Sequence, residues 1–218
     1  YHFNNMSYIK LDNIFVSGID NISRAQSLRE LFVKKKGTLI PNNITILDDL
    51  SFHANLGDRI GILGLNGSGK TSLLKVIVGT YPPQKGEVNI SGSICSSLGM
   101  GTLITELSGR DNIKLAFAYR NNLSQYSKEI ENKIIEFSEL GEFIDKPMMN
   151  YSSGMMARFA FSSVIFQKAD ILLLDEVFAT GDASFIYKAK KHMTHHWENT
   201  DIGIFVSHDL SQISELCK

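Results

Sequence analysis

The 218-residue chain has little of what marks several protein classes. Its 22 basic and 23 acidic side chains nearly cancel, leaving a formal net charge of −1, so the basic excess of a nucleic-acid-binding surface is missing. Its two cysteines, Cys95 and Cys217, lie far apart and in no metal-binding or redox spacing. They read as reduced cytosolic thiols. No apolar run approaches the roughly 20 residues that cross a bilayer. The first residues, Tyr1 to Asn5, carry neither the charged nor the apolar region of a signal peptide, so an intracellular protein is expected. Internal repeats and low-complexity segments are absent as well. Against these absences stand a 43% hydrophobic content and a length that suits one large α/β domain, or one domain with a small insert.

What is present is concentrated in a few runs. Gly64-Leu65-Asn66-Gly67-Ser68-Gly69-Lys70-Thr71 satisfies the pattern G-x-x-x-x-G-K-[ST] at every required position. Three glycines let the backbone turn its N–H groups inward around an anion, in conformations closed to residues with a Cβ. Lys70 supplies a point charge for β- and γ-phosphates, and the Thr71 hydroxyl is a ligand for Mg²⁺. Asn66, Ser68 and Ser72 count with them among the nucleotide-binding residues. Arg59 to Leu63 reads as a buried strand and Ser72 to Val78 as a helix, whose dipole also faces the phosphate. The chain is expected to bind a nucleoside triphosphate.

Ile171 to Leu174 is an apolar run that ends in Asp175 and Glu176. A buried parallel strand ends at the sheet edge where open α/β sheets bind ligands. There Asp175 can hold Mg²⁺, usually through water, and Glu176 can orient and deprotonate an attacking water; alone, the pair also reads as a turn after a strand. Phe205-Val206-Ser207-His208 repeats the arrangement, and His208 is either structural or a hydrogen-bond donor to the γ-phosphate or water. Ser153 and Gly154 stand at or beside a helix N-terminus, where hydroxyl, N–H groups and dipole make an anion site or an ordinary cap. His192, His195 and His196 share helical spacing without a matching carboxylate, which favours a solvated helix face over a metal site.

Along the chain, strands are expected over Ser7–Phe15 and Ile44–Ala54, a strand pair over Glu87–Ile90 and Ser93–Leu98, and strands again over Asp170–Asp175 and Ile202–Ser207. Helices are expected over Gly109–Arg120, Gln125–Leu140 and from near Ser152. Between Gly18 and Pro41, Ile22, Ala25, Leu28, Leu31 and Phe32 recur at helical spacing beside Arg24, Arg29 and Lys34 to Lys36. This basic amphipathic insert either packs on its own domain or meets anionic headgroups or a membrane partner. The fold class is α/β: a P-loop NTPase with a parallel core sheet, a small antiparallel β part and a helical insert over about residues 108–167.

Together the motifs resemble the ATPase subunit of ATP-binding cassette (ABC) transporters, over nearly the whole chain from about Ile9 to Lys218. Tyr151-Ser152-Ser153-Gly154-Met155 looks like a variant of that family's LSGGQ signature. Ala179-Thr180-Gly181-Asp182 occupies the place of its D-loop, and His208 that of its switch histidine. The resemblance implies one nucleotide-binding domain over residues 7–218, with ATP and Mg²⁺ as cofactors. It also implies a head-to-tail homodimer, in which Ser153 and Gly154 reach the ATP of the opposite subunit. Met155 replaces the usual signature glutamine, and the region from Leu98 to Thr102 lacks the glutamine that normally touches Mg²⁺. No aromatic residue stands around Ile44 to Ile46, where the family commonly stacks adenine. The signature variant and the Leu98 to Thr102 region, with Glu106 to Asn112, Thr180 to Phe185 and the basic insert, resemble the exporters of capsular polysaccharide, O-antigen or teichoic acid. Such a subunit would sit peripherally on the cytoplasmic face of the plasma membrane, partnered by a membrane-spanning permease, with polysaccharide as cargo and no nucleic acid. The end of the chain soon after His208 reads as a truncation. A soluble ABC-type ATPase acting on ribosomes or DNA is the alternative; a P-loop kinase would leave the signature and His208 unexplained.

Overall fold

The computed structural model describes residues 6–19, 43–97, 103–119, 123–175 and 183–217. It divides into two compact units: Tyr1–Tyr8, Ala54–Leu65 and Ser91–Lys218 form one, Ile9–His53 and Asn66–Ile90 the other. The basic insert therefore lies outside the described residues, apart from Gly18 and Ile19, which end a strand.

The smaller unit carries most of β1 (Tyr8–Ile19), β2 (Asn43–Asn55) and β4 (Lys85–Ser91), a three-stranded antiparallel sheet in the order β2-β1-β4. It also carries α1 (Lys70–Val78), which buries Leu73, Leu74, Val76 and Ile77. In β1 the buried positions are Ile9 and Leu11, then Ile14 and Val16. The period of two breaks at Asn13, whose φ of 50° inserts one extra residue as a β-bulge does. Asp49 of β2 answers it at φ 49°, and Asn13 Nδ2 donates to Asp49 Oδ1 at 2.7 Å. Short polar side chains tolerate this left-handed region best. Gly86 makes room, because a Cβ there would stand 2.5 Å from Asn13 O.

The larger unit holds a parallel sheet, β3 (Arg59–Leu63), β7 (Ile202–Ser207), β6 (Ile171–Asp175) and β5 (Ile94–Ser96), in that order. All of β7, and β6 up to Leu174, are buried, as continuous apolar strands covered on both faces must be. Two expectations fail here. β4 and β5 are not a strand pair, since they belong to different sheets; the turn at Gly92 (φ 116°) passes the chain between sheets rather than folding it back. Nor is β3 buried throughout, because it is the edge strand and leaves Leu63 51% exposed.

The helices of this unit are α2 (Gly109–Tyr119), α3 (Lys128–Ser138), α4 (Ser153–Ile165), α5 (Ala183–Glu198) and α6 (Leu210–Leu216). α3 begins where Ser127 accepts from Ile130 N at 3.1 Å, a helix cap. One apolar cluster joins Leu172, Leu174 and Phe205 of the sheet to Phe161, Phe185, Met193 and Trp197 of the helices. A second, built on Ile113, Phe117, Ile134, Met148 and Phe159, is the core of the helical insert.

Beside that second cluster the Glu131 side chain is completely buried and hydrogen-bonded by Arg110, Lys128 and Tyr126. Arg110 also pairs with Asp145 at 2.6 Å. Burial alone would raise the Glu131 carboxyl, but the bonds from Lys128, Tyr126 and Arg110 outweigh it and hold it at about 2. The Tyr126 phenol, which donates to Glu131, is pushed up to about 12. A depressed carboxylate stabilises the fold fully above its ordinary value of 4.5 and loses that contribution as pH falls through its folded value near 2. Glu131→Ala, which leaves the cations without their partner, is expected to cost about 3 kcal/mol of unfolding free energy by urea denaturation. In Glu131→Gln the fall in stability from pH 4.5 toward 2 should be shallower than in the parent, and an identical profile would contradict this account.

Candidate functional site

The phosphate loop follows directly on β3. Gly67 and Gly69 take φ of 83° and 92°, the left-handed region that glycine enters at little cost. At Gly67 a Cβ would meet nothing within 4 Å, so the dihedral alone demands glycine. At Gly69 a Cβ would also stand 2.9 Å from Ile46 O and 3.2 Å from Leu47 Cδ2. Gly69 is the N-cap of α1 and has no side chain to bond the first N–H groups. The helix opens two residues earlier than its apolar pattern suggests, bringing Lys70 and Thr71 into its first turn with Ser72. Asn66 and Ser68 are exposed on the loop, and Gly64 joins it to β3.

The strand ends of the larger unit share one edge. Leu63 pairs with Ser207 and Asp175 with Val206, so β3, β6 and β7 finish within one residue of each other. Asp175, half-buried, closes β6, and its N–H donates to Ser97 Oγ at 2.8 Å. Glu176 and Asp182 lie outside the described residues, as does the stretch 98–102. His208 is exposed, one residue past β7. Its turn is held on both sides. Asp209 N donates to Ser207 Oγ at 3.0 Å, Ser207 Oγ to Gln212 Oε1 at 3.3 Å, and Asp209 accepts from Ser211 N at 2.8 Å. The bonds from Ser211 hold the Asp209 carboxyl below the usual carboxylate range.

At the start of α4 the cap is Ser152, whose Oγ accepts from Met155 N at 3.3 Å. Ser153 is the first helical residue and is exposed, so the ordinary-cap reading belongs to its neighbour. A Cβ on Gly154 would meet only Ser152 Oγ, 4.0 Å away. Gly109 is a contrast: a Cβ there would strike Tyr151 Oη at 2.5 Å. Tyr151 donates from that hydroxyl to Phe143 O at 2.8 Å, and burial pushes its phenol up.

His192 and His195 lie on the exposed face of α5 as expected, but His196 does not. It is half-buried, its Nε2 has no hydrogen-bond partner, and burial holds it below the usual histidine range. Among the described residues no group of three or more histidine, cysteine, aspartate or glutamate side chains could hold a metal ion. No described helix is long and apolar enough to cross a membrane.

Each unit carries donors of a kind that suits a magnesium nucleotide: in the smaller, left-handed glycines at a helix start, an ammonium and a hydroxyl; in the larger, a carboxylate at a parallel-sheet edge. These features define a phosphate-loop α/β nucleotide-binding protein. The sequence pattern of the ABC transporter family matches residues 47–179, and the chain belongs to that family. It is 38% identical over 205 residues to the O-antigen export system ATP-binding protein RfbE of Yersinia enterocolitica, covering 89% of this chain and 85% of that protein. The teichoic acids export ATP-binding protein TagH of Enterococcus faecalis is 42% identical over 175 residues, 78% of this chain but 38% of its own length. The chain thus spans well under half of that second relative. The fold is shared with an ATP-binding cassette solved as a dimer in a post-hydrolysis state bound to ADP and Pi, with a TM-score of 0.70 at 20% identity, covering 96% of this chain and 91% of that one.

Gly69→Ala combines a forbidden dihedral with a backbone clash. It is expected to lower stability by about 1–3 kcal/mol and to abolish binding of a fluorescent ATP analogue. Wild-type affinity in this variant would refute the role given to the loop.

Proposed function

We propose that this chain is the ATP-binding and hydrolysing subunit of an ABC exporter that moves a cell-surface polysaccharide or teichoic acid through a separate membrane permease. The observation that carries the reading is a second helix start prepared for an anion. At α4 the capping task falls to Ser152, while Ser153 is exposed and Gly154 has room beside it at the helix start. The named export functions of the relatives favour this over a soluble ATPase acting on ribosomes or DNA.

In this reading residues 7–218 form one nucleotide-binding domain, with the helical insert over about 108–167. Lys70 and the N–H groups of Gly64 to Ser72 hold the phosphates of ATP. Thr71 and Asp175 hold Mg²⁺, which when bound offsets charge on the phosphate oxygens. Glu176 orients and deprotonates the attacking water, and His208 donates a hydrogen bond to the γ-phosphate or that water. Ser153 and Gly154 meet the γ-phosphate of ATP held by a second copy, with Asp182 beside them, so turnover requires the homodimer. The subunit works peripherally at the cytoplasmic face of the plasma membrane, with no nucleic-acid partner.

Glu176→Gln is expected to leave ATP binding intact and to cut hydrolysis by at least about tenfold; unchanged turnover would sink that assignment. Gly154→Ala should keep the monomer's unfolding midpoint within about 1 kcal/mol or raise it, since alanine suits a helix better, yet should lower ATPase activity. Equal activity in that variant would remove the signature role. The export reading is tested by isolating the chain with its membrane subunit and identifying the glycan that accumulates when it is depleted. Recovery on ribosomes, without any membrane protein, would decide for the soluble alternative.

A further inference from the structure

β5 is short. Its ladder with β6 covers only Ile171, Leu172 and Leu173, opposite Ile94, Cys95 and Ser96. Leu174 and Asp175 run past that last rung while still pairing with β7 on the other side. At the far end the ladder is closed by side chains: Ser93 N and Oγ both donate to Asp170 Oδ2, at 2.7 and 2.8 Å, and Asp170 N donates to Ser93 Oγ at 3.1 Å. At the near end Asp175 N donates to Ser97 Oγ at 2.8 Å. Ser97 is half-buried and stands directly after β5.

We propose that Ser97 is a positioning residue for Asp175. Its hydroxyl accepts the N–H of the last peptide of β6, on the β5 side, and so fixes the direction in which the carboxylate leaves the sheet edge. A strand end that loses a hydrogen bond frays more readily. A carboxylate that serves Mg²⁺ has little tolerance for such movement, because this ion demands near-ideal octahedral geometry. The inference rests on the reading of Asp175 as a Mg²⁺-holding group.

The test uses the full chain with a non-hydrolysable ATP analogue, titrated with Mn²⁺ while free ion is followed by electron paramagnetic resonance; Mg²⁺ dependence of hydrolysis is measured in parallel. Ser97→Ala should weaken Mn²⁺ binding about fivefold, the loss of one ordinary hydrogen bond. It should raise the Mg²⁺ needed for half-maximal turnover by the same factor and leave metal-free binding of the analogue unchanged. Ser97→Thr, which keeps the oxygen, should restore both. A purely structural serine would lower the unfolding midpoint without moving either metal curve, and that result overturns the proposal. Asp175→Asn separates the two readings. If it leaves Mn²⁺ binding intact, the role of Asp175 itself fails; if it weakens binding while Ser97→Ala does not, only Ser97 is wrong. Should Ser97→Ala not fold, Ser97→Cys replaces the oxygen with a weak acceptor, and wild-type metal binding in that variant likewise overturns the proposal.

Discussion

The register of β7 between β3 and β6 is the constraint on which the larger unit depends. Side chains alternate along a strand with period two, so a one-residue slip would turn every one of them to the opposite face. The register is pinned at the end remote from the site. Arg59 donates to the carbonyls of Asp58 at 3.0 Å and Asp201 at 3.2 Å, and also to that of Thr200. Gly57 N bonds Asp201 O at 2.8 Å, and Gly203 N bonds Asp58 O at 2.9 Å. The guanidinium lies 5.8 Å from the Trp197 ring centroid, and that ring packs so close to Gly203 that a Cβ there would stand 2.8 Å from it. Ser207 and Asp175 reach one edge because an arginine, a tryptophan and a glycine interlock at the other.

A second set of interactions orients α4 and so the helix start that carries Ser153. Glu139 closes α3 in the left-handed region, at φ 55°, a conformation costing a residue with a Cβ roughly 1–2 kcal/mol. Its carboxylate meets Lys188 of α5 at 2.7 Å and Arg158 of α4 at 3.8 Å. Lys188 also donates to Phe137 O at 3.2 Å and sits 4.4 Å from the Phe137 ring centroid. Three helices therefore converge on the side chain of one residue with a strained backbone, where a glycine would relieve the strain but remove the carboxylate that both cations meet. Glu131 does similar work deeper in the insert, where a buried charge specifies one arrangement of its partners at a desolvation cost that their hydrogen bonds offset.

The features readable from sequence are those in which a local pattern coincides with its physical cause. The glycine loop, the apolar run ending at Asp175 and the strand before His208 each declare their element, and the two strand runs also declare where it ends. The errors occur where the cause is distant. Gly92 and the polar residues around it look like a hairpin turn, because nothing local says that β4 and β5 serve different sheets. The loose alternation of β1 hides a bulge whose partner, Asp49, is remote in sequence. Ser93 and Ser97 read as unremarkable polar residues, since the groups they bond lie near residue 170. Ser152 and Ser153 are both plausible caps, and only the helix geometry assigns the task to Ser152. His196 shares the spacing of two solvated histidines yet turns inward.

The glycines themselves separate what the chain needs for its own fold from what it offers to something else. Gly69, Gly86, Gly109 and Gly203 each have an internal reason, since a Cβ would meet an atom at 2.9 Å or closer. Among the described residues Gly154 shows no such contact: its dihedral is ordinary, and a Cβ would meet only Ser152 Oγ at 4.0 Å. In a helix such a glycine forfeits about 0.5–1 kcal/mol relative to alanine. A bare helix start next to an exposed hydroxyl is what a close-approaching anion would need. The phosphate loop accounts for nucleotide binding by one copy. The open glycine on α4 is the feature on which the proposed second anion site rests.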